Sequence, residues 1–284
     1  MDVPHEFSAF RVHVEESGIR RGVEVLPLDT LPDADVTVRV EYSSLNYKDA
    51  LSASGNRGVS RHYPHTPGID AAGRVLVSTD PRFTVGSAVL CTGFDLGMNT
   101  PGGFGQVIRV PGDWLVPLPD GLTTRSAMII GTAGLTAALA LDRLRSVGAD
   151  PSLGTFVVTG ASGGVGSLAT LLLHRAGYTV VASTGKKHAH PFLTELGAAR
   201  VIDREELSGP SEKQLQRAAY GGGVDSVGGR TLVNLINSTV QGGAVAACGL
   251  VSGVDLPANI YPFILRGVAL LGVDSQGASR TDRE

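Results

Sequence analysis

Two different patterns of apolar and polar residues divide the sequence near residue 122. Before that point, short stretches alternate apolar with polar residues as β-strands do, and glycine and proline separate them. These stretches read "DVTVRVEYSSL", "AAGRVLVS", "SAVLCTG" and "GQVIRVPGDWLVPLP". The first part of the chain is therefore predicted to form a β-rich domain.

A long helical segment follows, and after it strands and helices alternate. The segment "TTRSAMIIGTAGLTAALALDRLRSVG" has a helical pattern, with a break or bend expected near Gly131–Gly134. Six later apolar runs predict strands, most of them separated by helices: 155–159, 178–182, 200–202, 223–227, 243–248 and 268–273. Alternation of this kind predicts an α/β domain with a parallel, doubly wound sheet.

Composition narrows the class of protein. A net charge of −3 gives no reason to expect a nucleic-acid partner or an anionic membrane. No apolar run reaches the roughly 18 residues that a membrane span needs, and the N-terminus lacks the layout of a signal peptide. The two cysteines, Cys91 and Cys248, form neither a disulfide framework nor a metal knuckle. We therefore expect no membrane partner and a cytoplasmic location.

The stretch "VVTGASGGVGSL" at 157–168 has the form of a phosphate-binding turn. It follows a predicted strand and opens a helix, where glycines allow a tight turn and let a pyrophosphate approach the backbone and the positive helix end. Its glycine spacing suits both short-chain and medium-chain reductases. Short-chain enzymes carry this turn near the N-terminus, whereas here it lies beyond the midpoint of the chain. They also require a tyrosine four residues before a lysine, and no tyrosine of this chain has that spacing. These two facts favour the medium-chain arrangement.

The sequence resembles one branch of that family. "SSLNYKDAL", "PGIDAAG", "DPRF", "GDWLVPLP", "AMIIGTAG", "AACGLVSG" and "PFILRGVALLGVDS" are similar to blocks of the quinone-oxidoreductase-like medium-chain dehydrogenases/reductases, and within them of the acryloyl-CoA reductase group. The resemblance runs from about residue 8 to residue 275. It implies a GroES-like catalytic domain at 1–122, a Rossmann NADPH-binding domain at 123–284, and a homodimer in the complete family member.

The chain departs from the family in two places. Family members usually have tryptophans in place of Phe94 and Pro101. We therefore expect the shape of the substrate pocket to differ from theirs. Relatives also continue past the position of Glu284 with a segment that returns to complete the catalytic domain. We therefore expect a C-terminally truncated chain whose GroES-like domain lacks its usual return segment.

The residue types at two positions of the chain indicate whether a metal is bound and which cofactor is preferred. Zinc-dependent relatives carry Gly-His-Glu where this chain has Gly68-Ile69-Asp70, and no Cys-x-x-Cys series occurs, so no metal is expected. The second Rossmann strand ends in Ser-Thr-Gly-Lys at 183–186, with no carboxylate to hold the ribose 2′-hydroxyl of NAD. Hydroxyls and an ammonium would bind a 2′-phosphate, which favours NADPH.

The candidate residues form two groups. The cofactor-binding group comprises Thr132, Ser162, Gly163, Gly164, Val165, Gly166, Ser167, Ser183, Thr184, Gly185, Lys186, Arg204, Cys248, Gly249 and Leu250. The catalytic group comprises Asn46, Tyr47 and Lys48, which the resemblance places opposite the nicotinamide. Tyr47 either donates the proton to the substrate or only packs under the nicotinamide ribose, and Asp49 would fix Lys48 by an ion pair.

Three functions are consistent with the sequence. The first is NADPH-dependent reduction of the carbon–carbon double bond of an α,β-unsaturated acyl thioester, with acryloyl-CoA converted to propionyl-CoA. The second is reduction of quinones or other enones by the same cofactor. The third is a truncated, non-catalytic product that binds the cofactor or nothing. Arg57 and Arg61 lie on a loop where they could meet the phosphates of CoA, although ordinary surface charge also explains them.

Overall fold

The computed structural model describes residues 2–210, 213 and 215–283. The chain forms two compact units, one made of Met1–Thr132 with Ser275–Glu284 and the other of Ala133–Asp274. The domains expected from the sequence, 1–122 and 123–284, differ from these units in two places. The boundary lies after Thr132, and residues 275–284 belong to the first unit. The last residues join the first unit because the N–H of Phe94 donates to the carbonyl oxygen of Gln276 (3.2 Å) and the Arg283 guanidinium to that of Thr92.

The first unit contains two antiparallel sheets. Strands β1 and β2 form a hairpin, and β3 to β7 form a five-stranded sheet in the order β6-β3-β4-β5-β7. The elements are β1 Glu6–Glu15, β2 Gly18–Pro27, β3 Val36–Tyr42, α1 Tyr47–Ala53, β4 Asp70–Ser78, β5 Ala88–Thr92, β6 Val107–Val110 and β7 Val116–Pro117, with α8 Arg280–Arg283 at the end of the chain. The predicted β-rich first part is confirmed.

Alternation along the strands of this unit buries one apolar face. Val36, Val38 and Ile108 are almost completely buried and pack in one cluster with Leu96 and Leu115. Arg39, between buried Val38 and half-buried Val40, is exposed because successive side chains of a strand point to opposite faces. This packing fixes the starting positions of β4 and of the loop after β3, which carry the polar residues described below.

The second unit is a doubly wound α/β domain. Its six strands are all parallel, in the order β10-β9-β8-β11-β12-β13, which is the 3-2-1-4-5-6 order of a Rossmann sheet. The elements are β8 Thr155–Val158, α3 Gly164–Arg175, β9 Thr179–Thr184, α4 His190–Glu195, β10 Ala198–Asp203, α5 Glu205–Ser208, β11 Tyr220–Asp225, α6 Gly229–Asn237, β12 Thr239–Ala247, α7 Tyr261–Arg266 and β13 Ala269–Gly272. The predicted α/β class is confirmed.

Helix α2, Thr124–Ser146, corrects one expectation. By length and composition it could cross a membrane, with a mean hydropathy of 1.4, whereas no such segment was expected from the sequence. Its apolar residues serve a core instead: Ala137, Ala140 and Leu144 are almost completely buried against the Rossmann sheet. The helix is also broken at Gly131, as predicted. A core helix meets the same criterion, so this feature is weak evidence for a membrane.

Candidate functional site

The three catalytic candidates lie at the start of α1. Asn46 is the N-cap residue, with extended backbone, and its N–H donates to the carboxylate of Asp49 (2.8 Å). Tyr47 opens the helix and is 58% exposed, next to Leu45, which is 90% exposed. A carboxylate in the first turn stabilises the N–H groups of a helix end, so the local sequence itself directs α1 to begin here.

Asp49 has a different role from the expected ion pair with Lys48. Its carboxylate is 2% exposed and accepts from the backbone N–H groups of Asn46 and Ile69 (2.9 Å). Burial raises the pKa of this carboxyl, and the hydrogen bonds from these N–H groups oppose the rise. The ammonium of Lys48 donates to the side-chain oxygen of Gln276, in the last residues of the chain. Asp49 therefore ties the helix start to the strand that begins at Asp70.

Asp70 is a completely buried carboxylate that receives three hydrogen bonds. Its Oδ2 accepts from the Asn46 side-chain amide (2.9 Å) and from the N–H of Thr132 (2.9 Å). Its Oδ1 accepts from the hydroxyl of Thr132 (2.5 Å). A catalytic candidate and a cofactor candidate, 86 positions apart in sequence, thus share one carboxylate. This role was not predicted from the sequence, where the signal for it is a charged residue in the apolar run "IDAAGRVLV".

The break in α2 is what brings Thr132 to Asp70. Gly131 has φ 50° and ψ −158°, outside the helical region. At the break the N–H of Thr132 donates to Asp70, and the carbonyl oxygen of Met128 accepts from the hydroxyl of Ser44 (2.7 Å). In an uninterrupted helix these two backbone groups would pair with each other. Side chains from the β3–α1 loop and from β4 therefore satisfy both groups.

Replacing Gly131 with alanine should destabilise the protein strongly. An added Cβ would lie 2.5 Å from the Ser44 hydroxyl and 2.7 Å from Asp70 Oδ2, on a backbone with positive φ. Such positions cost of the order of 1–3 kcal/mol before any clash is counted. Gly121→Ala is the matched control, because Gly121 has φ +83° with open space around it. We expect Gly131→Ala to cost at least about 2 kcal/mol more in urea unfolding; equal costs would contradict this account.

The glycine turn of the second unit has the geometry of an anion site. Gly160 has φ +58°, and Gly166 lies so close to the Gly160 carbonyl oxygen that only a glycine fits. Helix α3 begins at Gly164, and its N-cap Gly163 has no side chain to cap the first N–H groups. Gly163 and Gly164 are exposed. The N–H groups and positive end of a helix of this length suit a phosphate.

The end of β9 lies beside this turn. The hydroxyl oxygens of Ser162 and Thr184 are 2.8 Å apart, and the Thr184 hydroxyl also accepts from the N–H of Lys186 (3.1 Å). Ser183 and Thr184 are buried, so the exposed candidates at this strand end are Gly185, Lys186 and Arg204. The Arg204 side chain lies against Gly185, where an added Cβ would be 2.8 Å from its Nε. Two cations therefore flank the strand end.

The remaining cofactor candidates lie after α3 begins and after β12 ends. Val165 and Ser167 are half-buried in the first turn of α3. The N–H of Cys248 donates to the carbonyl oxygen of Asp225 (2.9 Å), and burial raises the pKa of the Cys248 thiol to about 12. That thiol is protonated at neutral pH, which excludes a nucleophilic thiolate. Gly249 follows it half-buried, and Leu250 is 53% exposed.

Asp225 is a second buried carboxylate that sequence reasoning missed. It is completely buried at the end of β11, accepts from the Thr159 hydroxyl (2.6 Å) and the N–H of Gly228 (2.7 Å), and burial raises its pKa. It therefore joins the ends of β8 and β11 to the turn before α6. In the described part of the chain, no group of three or more His, Cys, Asp or Glu residues could hold a metal ion.

Comparisons with known proteins agree with this architecture. A family model described as an alcohol dehydrogenase GroES-like domain matches residues 32–120, and one described as a zinc-binding dehydrogenase matches residues 164–283. The chain is 45% identical over 269 residues to the quinone oxidoreductase YhfP of Bacillus subtilis (strain 168), covering 95% of this chain and 82% of the relative. It is 47% identical over 262 residues to the acrylyl-CoA reductase AcuI of Ruegeria pomeroyi, covering 92% and 79%.

Solved structures give the same result. The yhdH oxidoreductase from Salmonella enterica in complex with NADP has a TM-score of 0.94 and 46% identity, covering 97% of this chain and 85% of that one. The Bacillus subtilis protein yhfP with NAD bound has a TM-score of 0.94 and 44% identity, covering 99% and 85%.

The fold and the matches define an oxidoreductase of the medium-chain dehydrogenase/reductase family, to which this chain belongs. Within the family it groups with quinone oxidoreductase YhfP and acrylyl-CoA reductase AcuI, the branch that the sequence motifs indicate. The predicted family is confirmed. The individual site residues stay predictions.

Proposed function

We propose that this protein is an NADPH-dependent reductase of the carbon–carbon double bond in an α,β-unsaturated acyl thioester, with acryloyl-CoA as substrate and propionyl-CoA as product. One observation carries the cofactor assignment. The open N-terminus of α3 stands beside a strand end where Lys186 and Arg204 flank Gly185 and no carboxylate follows Thr184. The relatives named acrylyl-CoA reductase support the substrate class.

The residues present fit the cofactor, and different residues would bind its different parts. The N–H groups of Gly164 and Val165 would hold the pyrophosphate, and Lys186 with Arg204 the 2′-phosphate. When bound, NADPH supplies a hydride for the β-carbon of the substrate. Cys248, Gly249 and Leu250 follow β12 at the same carboxyl edge of the sheet and would contact the cofactor through their backbone.

The first unit supplies the acid. The exposed phenol of Tyr47 would donate its proton to the α-carbon, so that a hydride and a proton add across the double bond. The Lys48 ammonium would stabilise the negative charge that develops on the thioester oxygen. Asn46 would orient the carboxamide of the nicotinamide. Asp49 and Asp70 hold the start of α1 so that these groups share one fixed position.

A second candidate function is reduction of quinones or enones, because YhfP is named a quinone oxidoreductase. Arg57 and Arg61 favour the CoA ester, because two exposed cationic residues share one loop, where the Arg57 guanidinium donates to the backbone carbonyl oxygen of Arg61 (3.0 Å). The test is NADPH oxidation with acryloyl-CoA against a simple quinone. Faster turnover of the quinone would favour the second function, and oxidation with neither would contradict both.

We also propose a cytoplasmic homodimer. Among the described residues, strand β13 is the last strand of the sheet, and Ile264 and Leu265 of the preceding helix α7 are exposed by 65% and 61%. An unpaired apolar sheet edge favours association with a second copy.

Cofactor preference provides a direct prediction. We expect NADPH to bind at least about tenfold more tightly than NADH, a difference of roughly 1.4 kcal/mol. Lys186→Glu should reverse the preference, because a carboxylate repels the 2′-phosphate and accepts from the 2′-hydroxyl. Lys187→Glu is the matched control, since it makes the same charge change at the next exposed position and should leave the ratio unchanged. Titration of nucleotide fluorescence measures both affinities; equal affinities in the unmodified protein would refute the assignment.

A further inference from the structure

We infer that Asp70 is a positioning residue that fixes the hydrogen-bonding direction of Asn46 and Thr132, so that this pair recognises the carboxamide of the nicotinamide. The inference rests on the proposed function and extends it to a residue outside the candidate set. Asp70 itself is completely buried, so it would not touch the ligand. It acts through the two side chains that donate to it.

The carboxylate decides which end of the Asn46 amide faces it. The Asn46 side-chain nitrogen donates to Asp70 Oδ2 over 2.9 Å, because the carboxylate oxygen accepts hydrogen bonds. The amide therefore cannot turn over by 180°, and its oxygen is directed away from this contact. The second hydrogen of the Asn46 amide keeps a set direction as well. A side chain that could otherwise present either end to a ligand is held in one orientation.

The same carboxylate sets the polarity of Thr132. Its hydroxyl hydrogen points to Asp70 Oδ1 (2.5 Å), so toward any ligand the oxygen acts as an acceptor. The backbone N–H of Thr132 donates to the other carboxylate oxygen, which holds the residue at the break of α2. Asn46 thus provides a donor and Thr132 an acceptor. A carboxamide offers the matching pair, a carbonyl oxygen and an amino group.

Asp70→Asn tests this arrangement with little change of shape. The new amide oxygen would still accept from the Asn46 amide and from the N–H of Thr132. Its nitrogen would take the place of Oδ1 and donate to the Thr132 hydroxyl, which would turn its hydrogen outward. The oxygen and the nitrogen of the new amide each keep a partner and only its second N–H gains none, so the variant should fold with a lower free energy of unfolding. The Thr132 hydroxyl, which would accept a hydrogen bond from the carboxamide, would then donate one instead.

The experiment measures binding, by calorimetry, of three probes: NADPH, the 2′-phosphate of ADP-ribose, which lacks nicotinamide, and the reduced 3-acetylpyridine analogue, which lacks the amino group. For Asp70→Asn we expect NADPH affinity to fall about tenfold or more. Affinity for the ADP-ribose probe should stay within about twofold of that of the unmodified protein. The ratio of the affinities for NADPH and for the acetylpyridine analogue should become smaller. Asp35→Asn, an exposed carboxylate that accepts from the N–H of Gly112, is the control and should change none of these.

The outcomes separate the inference from the proposed function. Equal losses for NADPH and the ADP-ribose probe, or no loss for either, would overturn the role of Asp70. Failure of the unmodified protein to bind the ADP-ribose probe would overturn the proposed cofactor site instead. Should Asp70→Asn not fold, Thr132→Val carries the test, because it removes the hydroxyl and keeps the carboxylate. It should lower NADPH affinity selectively, with no loss for the acetylpyridine analogue, and loss for all three probes would refute the inference.

Discussion

Replacing Gly164 with valine should abolish cofactor binding while the chain stays folded. Gly164 is the first residue of α3 and is exposed, and an added Cβ would lie 3.2 Å from Ala133 Cβ, which small shifts can relieve. The branched side chain would fill the space in front of the free N–H groups of the helix, where the pyrophosphate must approach the backbone. We expect the dissociation constant for NADPH to rise by about 100-fold or more.

Two other variants distinguish a blocked site from a damaged fold. Gly22→Val, on β2 with no atom near its Cβ position, should leave NADPH affinity and the melting temperature unchanged. Gly166→Val should lose its melting transition, because Gly166 lies against the backbone of Gly160 and Ala161. A folded Gly164→Val protein, checked by circular dichroism, that still binds NADPH normally would show that this turn is not the phosphate site.

Tyr47→Phe should lower kcat by about 100-fold or more, because general acid catalysis contributes roughly 10²–10⁴. The substitution keeps the ring and removes only the proton donor, so NADPH affinity should not change. This separates the two roles left open by the sequence. If Tyr47 only packs under the nicotinamide ribose, phenylalanine would do the same and kcat would stay near that of the unmodified protein.

The measurement is steady-state NADPH oxidation with saturating acryloyl-CoA, combined with a direct titration of NADPH. Tyr42→Phe is the matched control, since Tyr42 is also exposed, by 44%, in the same unit and lies outside the candidate set. It should leave kcat unchanged. A Tyr47→Phe enzyme with an unchanged kcat would remove Tyr47 from the chemistry and leave the proton donor to be sought elsewhere in the first unit.

Patterns that act over short distances predicted much of this protein. The alternation of strands and helices after Thr155 predicted the parallel sheet, and the glycine spacing predicted the turn before α3. The sequence blocks also identified the family. Each of these features depends on neighbouring residues, through side-chain periodicity or the backbone freedom of glycine, and such features can be read along a chain.

Contacts between distant segments were not predictable in this way. The last residues of the chain pair with the first unit through Phe94 and Gln276, which no local pattern indicates. Asp49 was expected to hold Lys48 because the two are adjacent, yet burial directs its carboxylate to backbone N–H groups.

The sequence by itself determined the class of fold, the family and the chemical types of the candidate site residues. Only the tertiary structure decided what orients them. Asp70 receives hydrogen bonds from Asn46 and Thr132 because the break at Gly131 turns the Thr132 N–H toward β4. A completely buried carboxylate needs such donors to offset its lost hydration, and which donors reach it depends on how β4, α1 and α2 pack together.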